Sequence, residues 1–219
     1  MNILKIAVVS FGVFAFAADI SAAASSAESA VWNGGNKTWQ MRRHVEKLKA
    51  AKEKNYPVVF IGDSITHFWE SHGKKLWSRH FSSGPRMALN LGFSADRTEH
   101  VLWRIENGEL DGYEAKCIVL MIGTNNTGHK DFRQEPPSDT IIGINRILKA
   151  ILKKQPKATV VLTAIFPRGG TKDDPLRKRN DIVNAEICKF ADGKSVVWCD
   201  FNNRFLDAEG RLPKSLFPD

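Results

Sequence analysis

The chain has only three cysteines in 219 residues, which excludes a disulfide scaffold and leaves at least one thiol unpaired. It has no apolar run of the ~20 residues that a membrane-spanning helix needs. The one hydrophobic segment outside the body of the chain, residues 6–18, has 13 residues. No internal repeat is present. No pair of His, Cys or carboxylate residues has metal-ligand spacing with a second pair to match, so no metal is implied. There is no Gly-x-x-x-x-Gly-Lys loop, and no Gly-x-Gly-x-x-Gly follows a strand, so no phosphate-bearing cofactor is implied either. Acidic residues are the minority, 24 against 32 basic, for a net charge of +8. That excess attracts nucleic acid, anionic lipid or acidic glycans without naming one. The composition, 42% hydrophobic and 26% charged, excludes disorder or coiled coil for the whole. The length suits one α/β domain with a real core.

The first residues read as an address. Lys5 gives a positive start, residues 6–18 an apolar run, and Ser21-Ala22-Ala23-Ala24 small residues for a peptidase. This order is that of a secretory signal peptide over residues 1–24, with cleavage near Ala24. Residues 25–36 read as a small, polar linker, and residues 37–219 as the domain. Export leaves periplasm or medium open, and no stable membrane insertion is expected once the leader is removed.

The domain alternates helices and strands. Residues 37–55 read as a helix with Met41, Val45 and Leu48 on one face. Strands are expected over residues 57–61, 86–91, 117–122, 158–166 and 195–199. Helices are expected over residues 98–109, from Ser138 or Asp139 to about 154, and over 175–190, the last with Ile182, Val183 and Ile187 inward. Residues 117–122 are apolar throughout, as for a parallel strand covered on both faces. The alternation predicts a five-stranded parallel sheet in a three-layer α/β/α sandwich. Ligands of such sheets sit beyond the carboxyl ends of the strands.

Three polar or glycine-rich turns converge there: Gly62-Asp63-Ser64, Asn90-Leu91-Gly92 and Gly123-Thr124-Asn125-Asn126. A Ser after a buried strand and a glycine can present its hydroxyl at the tip of a sharp turn. Acyl transfer needs such a nucleophile and donors for the oxyanion it forms. Ser64, with its own N–H, the Gly92 N–H and the Asn125 side chain are the candidates. Each donor is typically worth ~3 kcal/mol. Asp63 reads as a brace of the turn.

These blocks resemble the SGNH (GDSL-type) hydrolase family, and within it the platelet-activating-factor acetylhydrolase-like bacterial esterases. Residues 61–68, 90–97, 121–128 and 205–219 carry the likeness, which covers nearly the whole mature chain. The resemblance implies a flavodoxin-like fold and a metal-free ester hydrolase. By it, Ser64 is the nucleophile and the Ser64 N–H, Gly92 and Asn125 form the oxyanion hole. Thr66 stands where the Gly-x-Ser-x-Gly elbow of other hydrolases has its second glycine.

In that family a C-terminal Asp-x-x-His-Pro loop supplies the triad acid and base. Asp219 matches the acid, and no His follows it in this sequence. The expectation is therefore a chain truncated before its triad His and last helix, and impaired by a factor on the order of 10⁶ in kcat. Among the six His, His67 is expected to point away from Ser64, and His129 to lie in a loop near the pocket. His44, His80 and His100 read as surface or helix residues. The expected substrate is a small acetyl or short-acyl ester of carbohydrate or lipid. The competing reading is an inactive secreted module that holds glycan or lipid, with Trp69 and Trp77 as pocket aromatics and Trp103 and Trp198 in the core. A nucleic-acid partner is disfavoured by export. Lys172, Arg177, Lys178 and Arg179 read as a solvated helix face. Cys117, Cys188 and Cys199 read as core thiols, with a Cys188–Cys199 bridge as the one conceivable pairing.

Overall fold

The computed structural model describes residues 38–128 and 134–215. The leader, the linker, His129 and Asp219 lie outside the described residues. Five strands, β1 (Val58–Gly62), β2 (Ala88–Gly92), β3 (Cys117–Met121), β4 (Thr159–Thr163) and β5 (Val196–Cys199), form one sheet. All neighbours are parallel, in the order β2-β1-β3-β4-β5. Gly62 sits opposite Gly92 on one side and Met121 on the other. The turns that leave β1, β2 and β3 are therefore neighbours at one rim.

Helices α1 (Trp39–Glu53), α2 (Ser64–His67), α3 (Lys74–His80), α4 (Thr98–Arg104), α5 (Thr124–Thr127), α6 (Pro137–Lys154) and α7 (Pro175–Ile187) connect the strands. Asp174 caps α7, accepting from Leu176 N at 2.9 Å and Arg177 N at 3.2 Å. The start of α6 differs from the expected Ser138 or Asp139 cap. It begins at Pro137, whose missing N–H costs nothing in the first turn, and Asp139 lies inside that turn. Helix α4 stops at Arg104, and residues Ile105–Glu109 continue as a wider turn with Gly108 at φ +100°.

The core lies on one face of the sheet. Val59, Ile61, Ile118, Leu120, Val160 and Leu162 are at most 2% exposed, in one cluster with Val101 and Ile105, with Ile144, Ile147 and Ile151, and with Val183 and Ile187. On the opposite face Phe60, Val119 and Val161 are only half-buried. Phe60 is covered by Trp77 of α3 at 5.3 Å and by Phe81 at 5.0 Å between ring centroids. Strand β3 is thus closed tightly on one face, not on both as its apolar run suggested.

Some helix faces also differ from the periodicity reading. Val45 and Ile182 are exposed, while His44, His100, Arg43 and Arg177 are buried. Arg177 is no solvated charge, since it donates to the carbonyls of Arg168, Gly169 and Gly210 at 2.6–3.0 Å. Trp198 packs against the core from a half-buried position. The three cysteines are free thiols, so Cys188 and Cys199 are not bridged.

Candidate active site

The first turn is tight because Gly62 has no side chain. A Cβ there would lie 2.5 Å from the Met121 carbonyl and 2.3 Å from Thr66 Oγ1. Asp63 follows and caps α2, its Oδ1 accepting from Ile65 N at 3.0 Å. Burial pushes its carboxyl up to about 6, against the lowering effect of the backbone amides and of Arg168. Ser64 opens α2 and is half-buried. Among the described residues nothing hydrogen-bonds its hydroxyl or its N–H.

The second turn is bound to the first. Phe93 N donates to Gly62 O at 3.0 Å, and Asn90 Nδ2 donates to Thr66 O at 2.8 Å. Gly92 has a different task from the expected one. Its N–H donates to Asn90 Oδ1 at 2.8 Å, and a Cβ on it would meet His67 N at 2.3 Å. It is the position where β2 and α2 pack backbone to backbone, and its amide is not open to a substrate. The open amide of this loop is that of Ala95. Ala95 is half-buried, has no amide partner among the described residues, and has φ +68°. It is the one non-glycine residue among them at positive φ, a conformation that costs an L-residue roughly 1–2 kcal/mol.

The third turn joins the second. The Asn125 side chain is buried and donates one Nδ2 hydrogen to the Asp96 carbonyl at 2.8 Å. A primary amide has two such hydrogens, so one remains. Arg97 Nη1 donates to Asn125 O at 3.1 Å. Asn126 Oδ1 accepts from Thr98 N at 3.0 Å. From the β4 side, Arg168 Nη1 donates to Thr124 O at 3.0 Å and also to Gly128 O. The turn that carries Asn125 is thus clamped between two arginines. Ala95 and Arg97 lie in the 90–97 block without standing out there by residue type, and Arg168 lies outside every block; the two arginines act through backbone contacts distant in sequence.

No described histidine serves Ser64. His67 Nδ1 faces Ser94 Oγ at 3.0 Å, and its ring stacks on Trp39 at 5.7 Å. Burial, then the Arg43 charge, lowers its basicity. His100 Nδ1 accepts from Arg97 N at 3.1 Å, and burial with Arg104 and Arg97 drives its pKa down to about 3. His44 is paired with Glu109 at 2.9 Å. Among the described residues no group of three His, Cys, Asp or Glu could hold a metal ion.

Beside Ile65 and Thr66 an apolar cavity of about 310 Å³ opens toward Met121, Phe166 and Phe201. Trp69 lines it, whereas Trp77 is packed on Phe60 and Phe81.

Comparisons with known proteins identify the family. The sequence profile of the GDSL-like lipase/acylhydrolase family matches residues 60–219. The chain is 39% identical over 179 residues to the platelet-activating factor acetylhydrolase IB subunit alpha1 of Homo sapiens, covering 81% of this chain and 72% of that one. It is 34% identical over 180 residues to the alpha2 subunit of Mus musculus, covering 81% and 73%. A GDSL-like lipase from Bacteroides thetaiotaomicron shares the fold at a TM-score of 0.60 and 17% identity, over 79% of this chain and 82% of that one. A carbohydrate acetylesterase from Sinorhizobium meliloti does so at 0.55 and 15%, over 73% and 89%. The chain belongs to the GDSL-like lipase and acylhydrolase family and is an ester-hydrolysing enzyme.

Proposed function

We propose that Ser64 is the nucleophile and forms an acyl-enzyme with acetyl or short-acyl esters of carbohydrate or lipid. The observation that carries this is the unpartnered Ser64 hydroxyl just beyond the carboxyl end of β1, in the turn next to those that hold Ala95 and Asn125. Ser64 Oγ attacks the ester carbonyl carbon. The oxyanion is met by the N–H of Ser64, the N–H of Ala95 and the second Nδ2 hydrogen of Asn125. The C–O bond to the alcohol then breaks, the alcohol leaves with a proton, and water releases the acid from Ser64. The apolar cavity beside Ile65 supports an acyl group at that place. The names of the relatives, an acetylhydrolase and a carbohydrate acetylesterase, support an acetyl or short acyl group. Asp219 stands as the proposed triad acid on the family likeness alone.

The order of charge, apolar run and small residues in residues 1–24 supports export to periplasm or medium.

The test is intact-mass detection of a fluorophosphonate adduct, with p-nitrophenyl acetate hydrolysis alongside. We expect one adduct on Ser64 and none in Ser64→Ala. Ser64→Ala should also lower hydrolysis by several orders of magnitude. No adduct on the wild-type chain, or one that persists in Ser64→Ala, overturns Ser64 as the nucleophile.

A further inference from the structure

We propose that the surface formed by α2, α3 and the turn between them docks on an anionic lipid bilayer. Three large apolar side chains are exposed there, Ile65 (37%), Phe68 (44%) and Leu76 (51%), and Trp39 (38%) at the start of α1 adjoins them. Single exposed apolar residues need no explanation, but contiguous ones do. These are contiguous. Ile65, Phe68 and Leu76 line one shallow depression of about 200 Å³ with Trp69 and His72. Trp39, His67, Phe68 and His72 form a strip of successive ring contacts at 5.7, 6.0 and 5.2 Å.

The border of this patch is positive. Lys74, Lys75 and Arg79 are exposed on α3, and among the described residues none has a carboxylate partner. Residues 71–95 hold these three and Arg86, and no Asp or Glu. The nearest acid before them, Glu70, is held by Arg43 and Lys47, each at 2.7 Å. Aromatic and aliphatic side chains ringed by unpaired cations suit a headgroup region with negative charge. The net charge of +8 steers the chain to such a surface. The depression is built from short helical segments, so it presents side chains and offers a peptide no open strand to pair with. Among the described residues no helix is long and apolar enough to cross a membrane, so the contact is peripheral.

The face adjoins the nucleophile, since Ile65 follows Ser64. A lipid ester in the bilayer would then meet Ser64 from the headgroup side. That consequence rests on the proposed esterase, whereas the docking does not.

The experiment is vesicle co-sedimentation of the full chain carrying Ser64→Ala, which removes hydrolysis. Vesicles of phosphatidylcholine alone are compared with vesicles that also contain phosphatidylglycerol, at low and high salt. We expect sedimentation with the anionic vesicles, little with the neutral ones, and release by salt. A cation near such a surface is worth about fivefold in partitioning, so Lys74→Glu/Lys75→Glu should weaken binding roughly 25-fold or more. Phe68→Ser/Leu76→Ser should weaken it at low salt, with the charges unchanged. The proposal is overturned if the anionic vesicles do not bind the chain. It is equally overturned if neither pair of substitutions lowers binding, because another segment is then the contact. No Ser64 adduct on the wild-type chain with vesicle binding intact would sink the Ser64 nucleophile alone.

Discussion

Asp63 is a carboxylate with almost no water around it, one residue from the candidate nucleophile. Its pKa of about 6 in the folded chain stands above the ~3.9 of an unfolded one. Between those values the folded state keeps a proton that the unfolded state releases. The stability it contributes is therefore full below about pH 4 and lost as pH rises through about 6. Asn at this position keeps the cap and carries no charge. Asp63→Asn should gain on the wild type between those pH values, by roughly 3 kcal/mol at the plateau. Urea midpoints across that range give the answer, and an offset independent of pH would contradict it. At this scale the sequence was only partly legible. Ser64 and Asn125 stand out because residue type and position coincide. Gly92 drew the oxyanion role because it is the only glycine in its loop, but its bareness serves packing against His67. The amide left open is that of Ala95, whose positive φ has no mark in a sequence, since alanine usually avoids it.

Helix α4 shows how an element can be read correctly and its purpose missed. Val101, Leu102 and Ile105 place it against the core, as their spacing implies. Its charges, taken alone, belong on a surface. They are buried because their partners come from elsewhere in the chain. Arg104 is 1% exposed, with its guanidinium 3.8 Å above the Phe93 ring. It pairs with Asp96 and, at 3.1 Å, with Glu109, whose other oxygen meets His44 of α1 at 2.9 Å. At the front of the helix Arg97 pairs with Glu99 at 2.6 Å and Glu135 at 2.5 Å. The helix thus ties the Ala95 loop to the Asn125 loop through charges. Burial drives the Asp96 carboxyl up to about 7 even with Arg104 beside it. Removing the cation strands two buried carboxylates, so Arg104→Met should cost about 3–5 kcal/mol in urea unfolding. Adding Asp96→Asn should return part of that loss. A cost near 1 kcal/mol, the size of an ordinary buried methylene, would mean that the pairs contribute little.

The whole molecule is asymmetric about its sheet, and the sequence gives little sign of it. Strand order, connection and the position of the rim follow from the alternation of apolar runs with helices. The two faces of β3 do not separate by pattern, because Ile118, Val119, Leu120 and Met121 are all apolar. Coverage separates them. Leu120 is fully buried in the cluster under α4, α6 and α7, and Val119 is half-buried at the wall of the apolar cavity. A side chain enclosed by packed helices leaves a void when shortened, whereas one beside an open cavity mainly loses surface contact. Leu120→Ala should therefore cost roughly 3 kcal/mol and Val119→Ala about 1 kcal/mol or less, although the residues are adjacent. Urea midpoints of the two variants at fixed slope measure the difference. Equal costs would mean that the face bearing Phe60, Val119 and Val161 is packed as tightly in solution as the other. A layer beyond α3 and its aromatic neighbours would then have to cover it.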